Sequence, residues 1–222
     1  MQPPMMLPIE SRLRTMFAGK LVGIIRVNDT QHCLSAAHAL NRAGFKMIEV
    51  TLTAPGALDI IKELAANAAE DVMIGAGTVM SAYDTRACIE NGAQFIVSPI
   101  CELDIVRPCR DAGVVAIPGA MSPTEIMRAW RFGAHVIKVW PAGNVGGPAF
   151  IRALRGPLPD IPLWVSGNVF ARDAQEYLRA GAQLVGLGPE LLPPAMMDAG
   201  DWDGVTEHAR RLLLQARGEA LA

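Results

Sequence analysis

Short apolar runs rich in β-branched residues recur along this chain, and an amphipathic segment follows each of them. The runs are Val22–Arg26, Met47–Thr51, Val72–Gly77, Phe95–Ser98, Val114–Ile117, Val136–Trp140, Leu163–Ser166 and Leu184–Leu187. Helical periodicity occupies 30–43, 56–68, 82–91, 102–112, 123–132, 147–155, 171–180 and 203–217. The apolar runs are continuous rather than alternating, as parallel strands covered on both faces require. Glycine follows the helical segments at Ala43-Gly44, Asn91-Gly92, Ala112-Gly113, Phe132-Gly133 and Ala180-Gly181, where a left-handed residue stops a helix at low steric cost. Asp29-Thr30, Ala54-Pro55 and Ser122-Pro123 read as helix openings. Eight βα units in 222 residues predict an α/β fold, a single (β/α)8 TIM barrel over 1–222. Ile9–Phe17 reads as an extra N-terminal helix closing the bottom of that barrel, and residues 1–8 are expected to be flexible. A doubly wound open sheet is the competing arrangement, but no Gly-x-Gly-x-x-Gly follows the first strand.

Composition narrows the function classes. A formal net charge of -2, with no basic cluster, leaves no electrostatic footprint for nucleic acid. No apolar stretch is long enough to span a bilayer, and the start lacks the charged and apolar regions of a signal peptide. A cytoplasmic protein with neither nucleic-acid nor membrane partners is expected. The four cysteines show no CxxC spacing and read as reduced, and the four histidines do not cluster as zinc ligands do. Neither a metal nor a cofactor is expected.

In such barrels the chemistry sits at the C-terminal ends of the strands. The polar residues there are Arg26, Glu49, Thr51, Thr53, Thr78, Ser98, Lys138, Ser166 and Asn168. Lys138 stands inside the apolar run His135–Pro141. A buried ammonium loses solvation, its pKa falls, and the neutral amine can attack a carbonyl to form a Schiff base. The alternative is a lysine that reaches solvent or is held in an ion pair. Glu49 is equally out of place in Met47-Ile48-Glu49-Val50-Thr51, on the same strand face as Met47 and Thr51. It reads either as the lysine's structural counter-ion or as a proton-transfer group whose pKa burial raises. Arg26 offers a planar fork suited to a carboxylate, with a surface ion pair as the alternative. Gly75-Ala76-Gly77-Thr78 lets a ligand approach the backbone closely, or serves tight packing. Trp140 follows Lys138 on the same face and is expected to wall the pocket above the amine.

The runs Glu49-Val50-Thr51-Leu52, Gly75-Ala76-Gly77-Thr78-Val79, Ser98-Pro99, Ile117-Pro118-Gly119 and Lys138-Val139-Trp140-Pro141-Ala142 occur in this order. Together they resemble the 2-keto-3-deoxy-6-phosphogluconate (KDPG) / 4-hydroxy-2-oxoglutarate (KHG) aldolases, including members similar to 2-dehydro-3-deoxy-6-phosphogalactonate aldolase. The resemblance covers residues 18–195. It implies a metal-free class I aldolase, usually a homotrimer. Such an enzyme cleaves a 2-keto-3-deoxy sugar acid, 6-phosphorylated or not, or 4-hydroxy-2-oxoglutarate, to pyruvate and an aldehyde. It implies that Lys138 forms the Schiff base and that Glu49 shuttles protons. Many members carry arginine where this chain has Thr53, and others carry threonine there with an arginine ending strand one. Arg26 fits the second pattern, so Arg26 and Thr78 are assigned to the pyruvate carboxylate, with Pro99 and Trp140 shaping the pocket.

The departures fall at the phosphate end. The family usually shows Thr-Gly-Gly after strand seven, where this chain has Ser166-Gly167-Asn168, and Gly-Ser after strand eight, where it has Gly188-Pro189. Phosphate is held by backbone N–H groups and hydroxyls at a helix N-terminus, and proline has no N–H to give. Ser166, Gly167, Asn168 and Gly188 are therefore expected to line a distal pocket with a weakened hold on phosphate. A weakened hold on phosphate opens the site to an unphosphorylated 2-keto-3-deoxy acid or a short hydroxy-keto acid as the alternative to the 6-phosphorylated acid. The competing functions are a non-catalytic sugar-acid- or phosphate-binding barrel, another lyase on the same scaffold, and a phosphate-binding isomerase or epimerase.

Overall fold

The structure is a computed structural model that describes residues 8–220. Apart from Pro8, the leading segment expected to be flexible lies outside those residues. Helix α1 (Ile9–Gly19) precedes the first βα unit, β1 (Leu21–Ile25) and α2 (Thr30–Ala43). There follow β2 (Met47–Thr51), α3 (Ala57–Asn67), β3 (Met73–Gly77), α4 (Ala82–Glu90), β4 (Phe95–Val97) and α5 (Leu103–Asp111). Next come β5 (Val115–Ile117), β6 (Gly119–Ala120), α6 (Pro123–Arg131), β7 (Ile137–Val139), α7 (Gly147–Arg155) and β8 (Leu163–Val165). A 3-10 turn (Ala171–Asp173) leads into α8 (Ala174–Arg179), β9 (Leu184–Leu187), a second 3-10 turn (Pro189–Leu191), α9 (Pro194–Asp198) and α10 (Trp202–Arg217).

The strands form one parallel sheet in the order β5-β4-β3-β2-β1-β9-β8-β7-β6. Its two ends, β5 and β6, are consecutive in the chain, so the barrel closes through Pro118. The fifth strand was expected as one run ending at Ile117. It is instead two pieces, because Pro118 has no N–H for the ladder. The Pro118 carbonyl still accepts from the Lys138 N–H at 2.9 Å, which ties the closing point to the strand that carries the lysine. Gly119 is required beside it. A Cβ there would stand 2.4 Å from the Pro99 carbonyl group and 2.8 Å from the Ser98 oxygen, both backbone.

Local signals set the helix ends. The Asp29 side chain accepts from the His32 N–H, and Ser122 with Glu125 forms a reciprocal capping box at α6. Helix α3 starts after Gly56 (φ 68°), two residues beyond the expected Pro55 opening. The segment expected as one helix over 171–180 divides into the 3-10 turn and α8.

Two apolar layers hold the fold. The outer one packs the helices on the sheet through residues such as Leu40, Ile61, Val106, Ile126 and Ile151. The inner one fills the lower barrel with Val22, Met47, Met73, Phe95, Val115, Val136, Trp164 and Leu184. Helix α1 lays Met16 fully buried into this inner layer, with Ile9, Leu13 and Phe17 packed against it. It thereby seals the barrel bottom as expected. Strand alternation then directs the residues above this layer into the upper lumen: Glu49 above Met47, Lys138 above Val136, Ser166 above Trp164. The apolar bottom withholds water from one side of the polar layer, and the C-terminal mouth is left as the approach.

Candidate active site

Glu49 is fully buried and Lys138 is only 6% exposed. They come from β2 and β7, on opposite sides of the lumen. Lys138 Nζ stands 3.9 Å from Glu49 Oε1. A tight carboxylate–ammonium pair closes to about 2.7–2.9 Å. Here neither Glu49 oxygen has any hydrogen-bond partner. A tight structural ion pair would hydrogen-bond the carboxylate, and this arrangement leaves both of its oxygens without a hydrogen bond. Burial pushes the Lys138 ammonium toward the neutral amine, opposed by Glu49 and aided by the positive charge of Arg26. Burial likewise raises the Glu49 pKa, opposed by Lys138 and Arg26. Burial thus moves both groups toward their neutral forms while leaving them 3.9 Å apart.

Neighbouring strands shape that gap. The Glu49 side chain passes over Gly77, where a Cβ would fall 1.8 Å from Oε1 and 2.5 Å from Cδ. Trp164 is paired with Lys138 in strand register, and the amine sits 5.8 Å from the centre of its fully buried ring. Gly186 leaves room for the indole, since a Cβ there would come within 2.5 Å of Trp164 Nε1.

Arg26 leaves β1 at the mouth. Its guanidinium donates to Thr53 Oγ1 at 3.0 Å and to Thr78 Oγ1 at 2.9 Å. Thr53 Oγ1 also lies 2.9 Å from Thr51 Oγ1, which donates to the Ile25 carbonyl. A guanidinium fixed between two hydroxyls has the planar fork and the charge that can receive a carboxylate. Thr78 has φ 58°, a costly backbone conformation for a β-branched residue. That conformation places its hydroxyl on Arg26.

Across the mouth, Ser166 is 2% exposed and its hydroxyl has no partner. Gly167 (φ 83°) lies against the Trp140 indole, and a Cβ there would stand 2.7 Å from Trp140 Cδ1. Trp140 is 44% exposed at the mouth, whereas the Trp164 ring centre lies 5.8 Å from the amine. Asn168 takes φ 53°, a conformation asparagine tolerates well. The open surface hollow beside Leu103, Arg107 and Phe132 contains none of these residues. No group of three or more His, Cys, Asp or Glu side chains among the described residues is arranged to hold a metal. No helix among them is long and apolar enough to cross a membrane.

The KDPG and KHG aldolase family matches residues 9–208 of this chain. The chain belongs to that family. It is 36% identical over 200 residues to the 2-dehydro-3-deoxy-phosphogluconate aldolase of Pseudoalteromonas atlantica, covering 90% of this chain and 93% of that one. Among solved structures it is similar to a native KDPGal structure, with a TM-score of 0.81, 26% identity and 98% of each chain covered. It is also similar to the KDPG aldolase of Legionella pneumophila, captured with pyruvate as a covalent carbinolamine intermediate. There the TM-score is 0.80 and the identity 26%, over 89% of this chain and 96% of that one.

Within this member of the KDPG and KHG aldolase family, the fold gathers the sequence-predicted residues around one lumen mouth. Lys138 and Glu49 face each other, Arg26 holds Thr78, and Pro99 is pressed against Gly119. Ser166, Gly167 and Gly188 lie along the ends of β8 and β9, with Asn168 exposed beyond them. Three further residues acquire a part from the structure. Thr53 shares the Arg26 fork, Trp164 lies under the amine, and Gly77 makes room for Glu49. The signal for Trp164 was its period-two partnership with Ser166 on an inward face. For Gly77 it was the pairing of an all-small strand end with the strand that carries a buried carboxylate.

Proposed function

We propose that this protein is a class I aldolase cleaving a 2-keto-3-deoxy sugar acid, or 4-hydroxy-2-oxoglutarate, to pyruvate and an aldehyde. The observation that carries the reading is the buried Lys138 amine 3.9 Å from a Glu49 carboxyl whose oxygens have no other partner. The Legionella relative's covalent carbinolamine with pyruvate supports the same chemistry here.

The substrate carboxylate sits on the guanidinium of Arg26 beside the Thr78 and Thr53 hydroxyls, which places C2 in the lumen. The neutral Lys138 amine attacks C2 and gives a carbinolamine. Glu49, protonated, supplies the proton with which the C2 hydroxyl leaves as water, and the carboxylate is left behind. The iminium so formed draws the C3–C4 bonding electrons into an enamine, while Glu49, directly or through that water, takes the C4 hydroxyl proton. The aldehyde departs. The enamine is protonated at C3, and water hydrolyses the resulting iminium to pyruvate and free amine. One carboxyl thus alternates between acid and base, which suits a group whose pKa burial has raised toward the working range. The Trp164 face lies beneath the nitrogen that becomes cationic and favours that charge. Pro99 and Trp140 bound the mouth, and Ser166, Gly167, Asn168 and Gly188 form its distal side.

The assembly we propose is a homotrimer. Met80 (50% exposed), Tyr83 (76%), Met121 (49%) and Trp130 (40%) offer the apolar surface it would cover. A monomeric mass in light scattering would contradict this. A cytoplasmic setting accords with the free cysteines, three of which are buried. The activity itself is tested by pyruvate release from 2-keto-3-deoxygluconate and its 6-phosphate. Turnover lost in Lys138→Met supports the reading, and turnover retained in that variant refutes it. A folded wild-type protein that binds the acids without cleaving them would mark a binding barrel instead.

A further inference from the structure

The polar layer of the lumen rests on two aromatic rings set into glycine sockets. Phe95 of β4 lies over Gly75 of β3, where a Cβ would overlap the phenyl ring. Trp164 of β8 lies over Gly186 of β9, where a Cβ would come 2.5 Å from Nε1 and 3.1 Å from Cε2. The two ring centres are 6.2 Å apart with their planes tilted by 60°, a favourable aromatic contact. Both rings are fully buried. The sockets and the mutual contact hold each ring in place.

Lys138 Nζ stands over the Trp164 ring, 5.8 Å from its centre. A cation at that range is attracted by the negative face of an aromatic ring, and more strongly where water is excluded. Filling the floor does not by itself call for tryptophan, since leucine or phenylalanine would also close it. Tryptophan brings a buried N–H that finds no partner among the described residues, at a cost in stability. What it adds is the aromatic face most attractive to a cation.

The other influences on this nitrogen oppose one another. Burial is the largest and favours the neutral amine, Glu49 on β2 favours the ammonium, and Arg26 on β1 disfavours it. A class I aldolase needs both forms. The neutral amine attacks the carbonyl, and the imine must then carry a proton, because only the cationic iminium withdraws the C3–C4 electrons.

We propose that Trp164 is a positioning residue that holds positive charge at Lys138 Nζ, on the ammonium of the free enzyme and on the iminium once pyruvate is bound. The iminium half rests on the aldolase reading, and the ammonium half stands without it. Forming the iminium from the ammonium exchanges one cation for another over the same ring, so the ring leaves that equilibrium unchanged. Forming it from the neutral amine takes up a proton, and the ring favours that. The penalty for losing the ring therefore falls at pH values above the Lys138 pKa.

The test reads each half separately. The chain has four lysines, so NMR of protein carrying 13C at lysine Cε follows each titration, and Lys138→Met identifies the Lys138 signal by its loss. Trp164→Leu should lower the Lys138 pKa by about one unit and Trp164→Phe by about half as much, the scale of a desolvated cation–π contact. Phenylalanine keeps an aromatic face, so it answers the question if the leucine variant fails to fold. An unchanged pKa overturns the proposal, as does a raised one, which would mean that the ring acts only by keeping water out. Borohydride trapping over a range of pyruvate concentrations reads the iminium. Half-saturation in Trp164→Leu should need about tenfold more pyruvate than wild type above the wild-type Lys138 pKa, and the same concentration below the variant's. A change independent of pH overturns the iminium half. A lowered pKa in the variants with no pyruvate adduct in wild type would sink the aldolase reading and leave the ammonium contact standing.

Discussion

Gly77→Ala should disable catalysis by displacing Glu49 while leaving the fold in place. Gly77 ends β3, opposite Thr51 in register, and its φ is outside the left-handed region, so the backbone accepts alanine. The obstacle is the new methyl group, which would stand 1.8 Å from Glu49 Oε1, 2.5 Å from Cδ and 2.6 Å from Cγ. Ordinary carbon–carbon contact needs about 3.5 Å, so the carboxyl must retreat by about 1–1.5 Å. Misplacing a catalytic group by about 1 Å costs about 100-fold in rate, or about 2.7 kcal/mol in the barrier. The Arg26 seat is untouched, so the loss should appear in kcat far more than in KM. The assay couples pyruvate release to NADH oxidation by lactate dehydrogenase, alongside urea unfolding. A double-mutant cycle gives the sharper result. If Gly77→Ala acts through Glu49, then adding it to Glu49→Gln should cost little more than Glu49→Gln alone. A wild-type kcat in Gly77→Ala would refute this reasoning, and so would two fully additive losses.

Three further perturbations probe the rest of the site. Arg26→Met removes the carboxylate seat and should raise KM for the keto acid by about 10- to 100-fold, the worth of a charge-assisted contact of about 1.5–3 kcal/mol; steady-state kinetics would show an unchanged KM if the seat were elsewhere. Thr78→Gly relieves the backbone at φ 58° and deletes one hydroxyl beside Arg26, so thermal unfolding should show stability held or increased while pyruvate inhibition weakens; a large drop in Tm would contradict the assignment of strain there. Glu49→Gln has a pH signature. The Glu49 pKa is raised in the folded protein, so the native state holds that proton more tightly, and its contribution to stability, full below the ordinary value of 4.5, declines as pH rises toward the folded value. Gln cannot ionise, so the variant should gain stability relative to wild type as pH rises through that window in urea unfolding; a relative loss would mean that the ionised Glu49–Lys138 pair is itself stabilising.

The sequence made the barrel legible because each unit carries its own local signals. The β-branched runs, the glycine stops and the caps at Asp29 and Ser122 all agree with the closed sheet. The split of the fifth strand was hidden because a lone Pro118 reads as a strand end, and only barrel closure shows that the chain continues beyond it. Lys138 and Glu49 stood out because a charge in an apolar strand is anomalous wherever the strand lies. Their gap of 3.9 Å, with both carboxyl oxygens unpartnered, depends on the lumen's width and on Gly77, neither of which a pattern encodes. Trp164 was concealed among core residues because a buried aromatic reads as packing until its neighbour is known.

The central claim, a nucleophilic amine at Lys138, is tested most directly by trapping. The protein is incubated with pyruvate and borohydride, and intact mass is followed by peptide mapping. One pyruvate-derived secondary amine per chain, located on Lys138 and absent when Arg26→Met is treated at low pyruvate concentration, is the predicted result. A folded protein that takes up no adduct, or takes it up on Lys20, Lys46 or Lys62 instead, would contradict the account.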